Sequence, residues 1–295
     1  MGTNTIILTL LFARLFHLYT VLVANSILIY DHIVTLPEEI RFIWCRPKIL
    51  SSIFFLVNRY FALVGNIFGL FIDFLPVVSN ESCSRYMLVR ELLLFLQQIT
   101  VSFTLTLRIY ALYGRSKRLL SCMIIIGLAL TGGAFASSLS DNNTTIYVQG
   151  SDCQNTFTAE AAIRHGLAWV AVFVYDSIIF VLTIFRTCKT RKFLRSSLSS
   201  RNIPNIMFQD GAMYFAAMTL INLPNILTYY CGSDITRGNL ATITSCISVT
   251  LISRLVLNLH KSTDNGIFSA PIRDDGPSED VFTTRVQAVI SSHNC

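Results

Sequence analysis

Along the whole chain, runs of about 20 apolar residues alternate with short segments that gather the charges. A helix rises 1.5 Å per residue and a bilayer core is about 30 Å thick, so runs of this length fit membrane-crossing helices. They are apolar all round, without the 3.6-residue polar stripe of a soluble bundle. Seven spans are predicted: Leu10–Tyr30, Ile49–Ile72, Met87–Tyr110, Leu119–Ser137, Gly166–Phe185, Gly211–Tyr230 and Leu240–Leu259. The expected fold is all-α, an integral membrane bundle of seven transmembrane helices over residues 1–261. Residues 262–295, which include DDGPSED, read as a mobile cytoplasmic tail. The opening MGTNTIILTLLFARLFHLY lacks the basic start of a signal peptide, and its apolar pattern continues past Arg14, so it reads as the first span.

Composition agrees: 53% of residues are hydrophobic and 14% charged, with a mean hydropathy of +0.56. A soluble domain carries about 25% charged residues. The distribution of the basic residues sets the orientation. Arg41, Arg46 and Lys48 follow span one; Arg115, Lys117 and Arg118 follow span three; Arg186, Lys189, Arg191, Lys192, Arg195 and Arg201 follow span five. The alternate connections hold only Arg85, Arg164 and Arg237. Loops rich in Lys and Arg stay in the cytoplasm, which places the N-terminus outside and the C-terminus inside.

The outward loops carry sequons at Asn80, Asn142 and Asn143, candidate glycosylation sites. They also carry Cys83 and Cys153, candidates for a disulfide on the oxidising side, with Cys231 as a competing partner. Together these point to the secretory route and the plasma membrane. Cys122 and Cys246 read as core packing.

Charges inside spans carry the candidate chemistry, because each needs a reason to leave water. Arg59, in FFLVNRYFALVG, lies about 15 Å from the inner end of its span. Asp176 sits at the same depth in span five and Asn222 near that level in span six. The expected arrangement is an Arg59–Asp176 ion pair, with Asn58 and Asn222 completing its hydrogen bonds. On span three, Glu91, Gln98, Ser102 and Thr106 share one face directed into the bundle, and Arg90 is expected to reach the outer surface. Asn58, Arg59, Glu91, Gln98, Asp176 and Asn222 thus form the predicted ligand or intramembrane polar site. Pro224 predicts a kink in span six. The Ser and Thr residues of span seven can bond back along their own helix.

Several chemistries lack their residues. The five lysines, Lys48, Lys117, Lys189, Lys192 and Lys261, all lie outside the spans, which excludes a retinal Schiff base. The five histidines are scattered, without the convergence a zinc site needs. No nucleophile motif or phosphate loop is present, so the expectation is not an enzyme, without cofactor or metal. A receptor-like sensor fits the topology, the outer cysteines and the basic inner loops. Arg108, Arg115, Lys189 and Lys192 are then the residues expected to couple to a cytoplasmic partner, a G protein. A small extracellular ligand and the lipid bilayer complete the expected partners, with no nucleic acid. A small-solute transporter and a structural or interaction protein of the membrane are the alternative readings.

The stretch ILIYDHIVTLPEEIRFIWCRPK followed by FFLVNRYFAL resembles a family of basidiomycete fungal membrane proteins. Their region from the first helix to the second is a domain of unknown function. LRIYALYGRSKR and the basic exit of span five are similar too, so the resemblance runs from about Leu15 to Lys261. It implies a seven-helix membrane protein and supplies no ligand or activity. It draws notice to Asp31, His32, Glu38, Glu39, Arg41 and Trp44 in the first inner loop. They are expected either to neutralise one another beside the headgroups or to form a contact surface for a cytoplasmic partner.

Overall fold

A computed structural model describes residues 2–45, 50–74, 80–139, 145–147, 153–155, 159–196, 203–233 and 236–268. Seven long helices follow the seven apolar runs: α1 (Gly2–Glu39), α2 (Leu50–Phe74), α3 (Asn80–Leu112), α4 (Lys117–Leu139), α5 (Ala159–Ser196), α6 (Ile203–Cys231) and α7 (Ala241–Phe268). Between α4 and α5 two short strands, β1 (Thr145–Tyr147) and β2 (Cys153–Asn155), form an antiparallel hairpin with Tyr147 opposite Cys153. This hairpin is the one departure from all-α among the described residues. Period-2 alternation over three residues is too short to read from sequence.

Each helix packs on its neighbours in chain order, and α1 packs on α7, so the helices close into a ring. Within it α3 also touches α5 and α7, and α2 also touches α7. The core runs along this centre through Phe55, Leu105, Ile109, Met123, Ile179, Met218 and Ile252. The burial pattern is that of a membrane protein. Phe12, Tyr19, Phe71, Leu128, Val181, Phe185 and Leu220 are all more than 60% exposed, whereas Asn25, Glu39, Asn58, Arg59, Asp176, Asn222 and Asn225 are buried. A face this apolar in water would drive aggregation, and in hydrocarbon it is the stable surface.

Among the described residues, six helices are long and apolar enough to cross a bilayer. The exception, α6, carries Asn222, Pro224 and Asn225 in its middle, and these lower its hydropathy. It continues through Pro224 as one helix. The hydroxyls of α7 do bond backwards, Ser248 to the Thr244 carbonyl and Thr250 to the Cys246 carbonyl, both at 2.9 Å.

The largest revision of the expected spans concerns α1. It does not stop at Tyr30 but continues to Glu39 and then as a π-helical turn, Ile40–Trp44. Pro37 lies within its last helical turn, where it lacks the N–H that would bond back to the preceding turn. The wider π turn follows, closed by Cys45 N–H to the Ile40 carbonyl at 3.2 Å. This extension carries Asp31, His32 and Glu39 alongside α2 and α7 instead of into a loop. The end of the bundle holding this turn, the α3–α4 turn and the last turns of α5 is the basic end, and the opposite one the hairpin end.

Candidate functional site

At the basic end α1, α2 and α7 converge on a cluster of buried charges. Glu39, 0% exposed, is its hub. Its Oε1 accepts from Trp44 Nε1 at 2.9 Å and from the Tyr60 hydroxyl at 3.0 Å. Trp44 and Glu39 are five residues apart, the spacing that a π turn brings onto one face. Glu39 Oε2 lies 2.9 Å from Arg59 Nε. Arg59, 2% exposed, also donates Nη2 to the His32 carbonyl at 2.8 Å and Nε to His32 Nδ1 at 3.0 Å. The His32 ring meets Tyr60 edge to face, with centroids 5.2 Å apart.

Asp31 links this group to the third helix. Its Oδ1 lies 2.6 Å from Arg254 Nε on α7, and its Oδ2 lies 4.0 Å from Arg59 Nη1. At the rim, Lys261 Nζ meets Glu38 Oε1 at 2.9 Å. Two carboxylates, Asp31 and Glu39, thus face two guanidiniums, Arg59 and Arg254. Opposite charges in contact lower the cost of burying Asp31, Glu39 and Arg59, and Arg254, whose side chain is 43% exposed, balances the set from its edge. α3 joins by its own arginine: Arg108 Nη2 donates to the Leu255 carbonyl at 3.0 Å, one residue from Arg254.

This overturns the expected Arg59–Asp176 pair. Arg59 is held by Glu39, His32 and Asp31, because the prolonged α1 brings those groups to its depth. Asp176 lies on α5, which packs on α3, α4 and α6. Of the two asparagines expected to complete that pair's hydrogen bonds, Asn222 does bond Asp176, Nδ2 donating to Oδ2 at 2.9 Å, and Asn58 does not. Asn58 is 1% exposed, and neither of its amide atoms has a hydrogen-bond partner among the described residues. The same is true of Gln98, 6% exposed. Further along that stripe, the Thr106 hydroxyl bonds the Tyr175 hydroxyl of α5. Glu91 is half-buried.

Arg90 does not reach for the outer surface. It bonds Thr242 and His17 at 3.0 Å each and approaches Asp73 at 3.7 Å. Arg90, Thr242 and Asp73 line a cavity of about 30 Å³ between α1, α2, α3 and α7, with Asn25, Asn66 and Gln97 in its wall. Gln97 carries this polar contact between α2 and α3, accepting from Asn66 Nδ2 at 3.4 Å.

Of the residues expected to couple at the basic end, Arg108 is turned onto α7. Arg115 is exposed in the α3–α4 turn, where it and Gly114 adopt φ of 61° and 66°. Lys189 is exposed on α5. The Lys192 side chain lies outside the described residues, as do the side chains of Asn80 and Cys153 and the whole of Asn142 and Asn143. Cys83 is fully buried near the start of α3 and is not among the free thiols, whereas Cys231 is free. Cys122 is exposed on α4 rather than in the core, while Cys246 is buried.

Sequence reasoning missed Arg254, and it read Asp31 and Glu39 as loop residues. Arg254 is the only charged residue in its predicted span, which by itself calls for an acid at the same depth.

Fold and cluster together define a multi-pass helical membrane protein with a cluster of paired charges, buried at Asp31, Glu39 and Arg59, at one end. Residues 19–64 match a family of unknown function (DUF6533). No curated protein and no solved structure matches the chain. The matched segment contains Asp31, His32, Glu39, Trp44, Arg59 and Tyr60, so the family region and the α1–α2 part of the cluster coincide.

Proposed function

We propose that this protein is a receptor-like sensor that crosses the membrane seven times, with its N-terminus outside and its C-terminus in the cytoplasm. One observation carries the reading: α1, α2 and α7 share both the cavity of the hairpin end and the charge cluster of the basic end. The cavity has room for only about one or two waters, so a small ligand binding among Asn25, Asn66, Gln97 and Arg90 would have to spread the same helices that the cluster ties together. A ligand moves such an equilibrium only through its differential affinity for the two states. Release of Arg254 from Asp31, and of Arg108 from the Leu255 carbonyl, is the change that the cytoplasmic surface would show. Arg108, Arg115, Lys189 and Lys192 would then face a G protein.

The hairpin end is the outer one in this reading. A Cys83–Cys153 disulfide would tie the β-hairpin to α3. The burial of Cys83, its absence from the free thiols, the free state of Cys231 and the packing of β1 on α3 all support it. Asn80, Asn142 and Asn143 would carry glycans on that side, and the plasma membrane is the expected destination.

The test is nucleotide exchange on G-protein α subunits with the purified protein in lipid nanodiscs. Exchange above that of empty discs, raised further by Asp31→Asn, is the expected result. Failure of both the wild type and Asp31→Asn to raise exchange removes the receptor reading. Uptake of a labelled solute into vesicles would replace it with transport.

A further inference from the structure

Asp176 has a property that none of the other buried acids shares. It is 4% exposed near the middle of the α5 span, and no lysine, arginine or histidine forms an ion pair with it among the described residues. Asp31 and Glu39 are balanced by Arg59 and Arg254, and Asp73 lies beside Arg90. Asp176 receives one hydrogen bond, from Asn222 Nδ2, and its Oδ1 has no partner.

The surroundings add acceptors. Asn222 and Asn225 are both 0% exposed and three residues apart, hence on one face of α6. Their Oδ1 atoms, and Asn225 Nδ2, are also without partners among the described residues. A carboxylate oxygen and two amide oxygens are hard donors, the type that holds alkali and alkaline-earth cations. A single carboxylate balances a single positive charge, whereas a divalent ion would leave net charge in the hydrocarbon.

We propose that Asp176, Asn222 and Asn225 form a binding site for one sodium ion between α5 and α6, with Asp176 Oδ1 and the two amide oxygens as its protein ligands. A proton on Asp176 would also neutralise the charge, but it donates to one acceptor only and leaves the others unmet. Sodium answers the charge and all three oxygens together. The site is independent of the receptor reading, since it rests on helices outside the α1–α2–α7 cluster.

The experiment compares thermal unfolding of the full-length protein in lipid nanodiscs in sodium chloride and in choline chloride of equal ionic strength. The expected result is a melting temperature that rises saturably with sodium and not with choline. Asp176→Asn abolishes that rise, and Asn222→Ala moves its midpoint to higher sodium. Equal melting in the two salts, or a sodium effect that survives Asp176→Asn, overturns the proposal. Infrared spectra of the wild type give a second reading, independent of whether the variants fold. A protonated-carboxyl band that is present without sodium and lost on its addition supports the site. A band that persists in saturating sodium assigns the charge balance to a proton and refutes it.

Discussion

Replacing Arg59 by methionine strands a charge, and its cost can be worked from the geometry. Glu39 would keep its bonds from Trp44 and Tyr60 but lose the only guanidinium within 2.9 Å. Asp31 would still be held by Arg254 at 2.6 Å. Both members of the broken pair are almost fully buried, at 2% and 0% exposure, so solvent does little to screen the loss. Removing one partner of a buried ion pair costs about 3–5 kcal/mol. Glu39→Gln removes the nearer acid from Arg59 but leaves Asp31 at 4.0 Å, so its cost should fall at the low end of that range, about 3 kcal/mol. The double variant Arg59→Met/Glu39→Gln strands neither charge, and the glutamine oxygen can still accept from Trp44 and Tyr60. Its cost is therefore expected to be no greater than that of either single change, a coupling of roughly 3 kcal/mol. The assay is reversible unfolding in mixed lipid–detergent micelles on all four corners of the cycle. A parallel cycle of Arg59→Met with Asp176→Asn is the control, and there the costs should add within about 0.5 kcal/mol because the two sites share no partner. Additivity in the first cycle, or strong coupling in the second, would refute the assignment of Glu39 as the partner of Arg59.

Other contacts give smaller effects. Trp44→Phe removes one donor from Glu39 while keeping an aromatic ring, and a loss of about 1 kcal/mol is expected in the same unfolding assay. Lys261→Ala breaks a bridge to Glu38 whose partners are 50% and 37% exposed; the cost should stay under about 1 kcal/mol and vanish in high salt. Two glycines should respond in opposite directions. A methyl group on Gly69 meets nothing within 4 Å, so Gly69→Ala should raise stability by up to about 1 kcal/mol through helix propensity. A methyl group on Gly166 approaches the Tyr230 ring at 3.1 Å and Tyr229 Cβ at 3.2 Å, so Gly166→Ala should lower stability. Equal effects at the two positions would refute the packing argument.

The helices were legible in the sequence because hydrocarbon leaves the backbone so few options; a run of apolar residues long enough to cross must be helical. Arg59 was legible for the same reason, since a lone charge in such a run is conspicuous. Its partner was not. Depth counting assumes that a span ends where charges begin, and it therefore ended α1 at Tyr30, just before Asp31. That assumption fails when the charges belong to a neutral set, because each guanidinium lowers the cost of each carboxylate and the helix can continue through them. Hydropathy scores residues one at a time, whereas the free energy of Asp31 depends on Arg254, 223 positions away. Residue-by-residue scoring also undervalues α6, whose span was read from its apolar run, since Asn222 and Asn225 lower its average hydropathy although both are buried inside the bundle. A better reading of such a chain sums charges by depth before drawing span ends. Applied here, Arg254 requires an acid near its level, Asp31, one residue past the predicted end of span one, supplies it, and Asp176 is left without an ionic partner among the described residues. The residue that such a sum leaves unbalanced is the one from which to expect a bound ion.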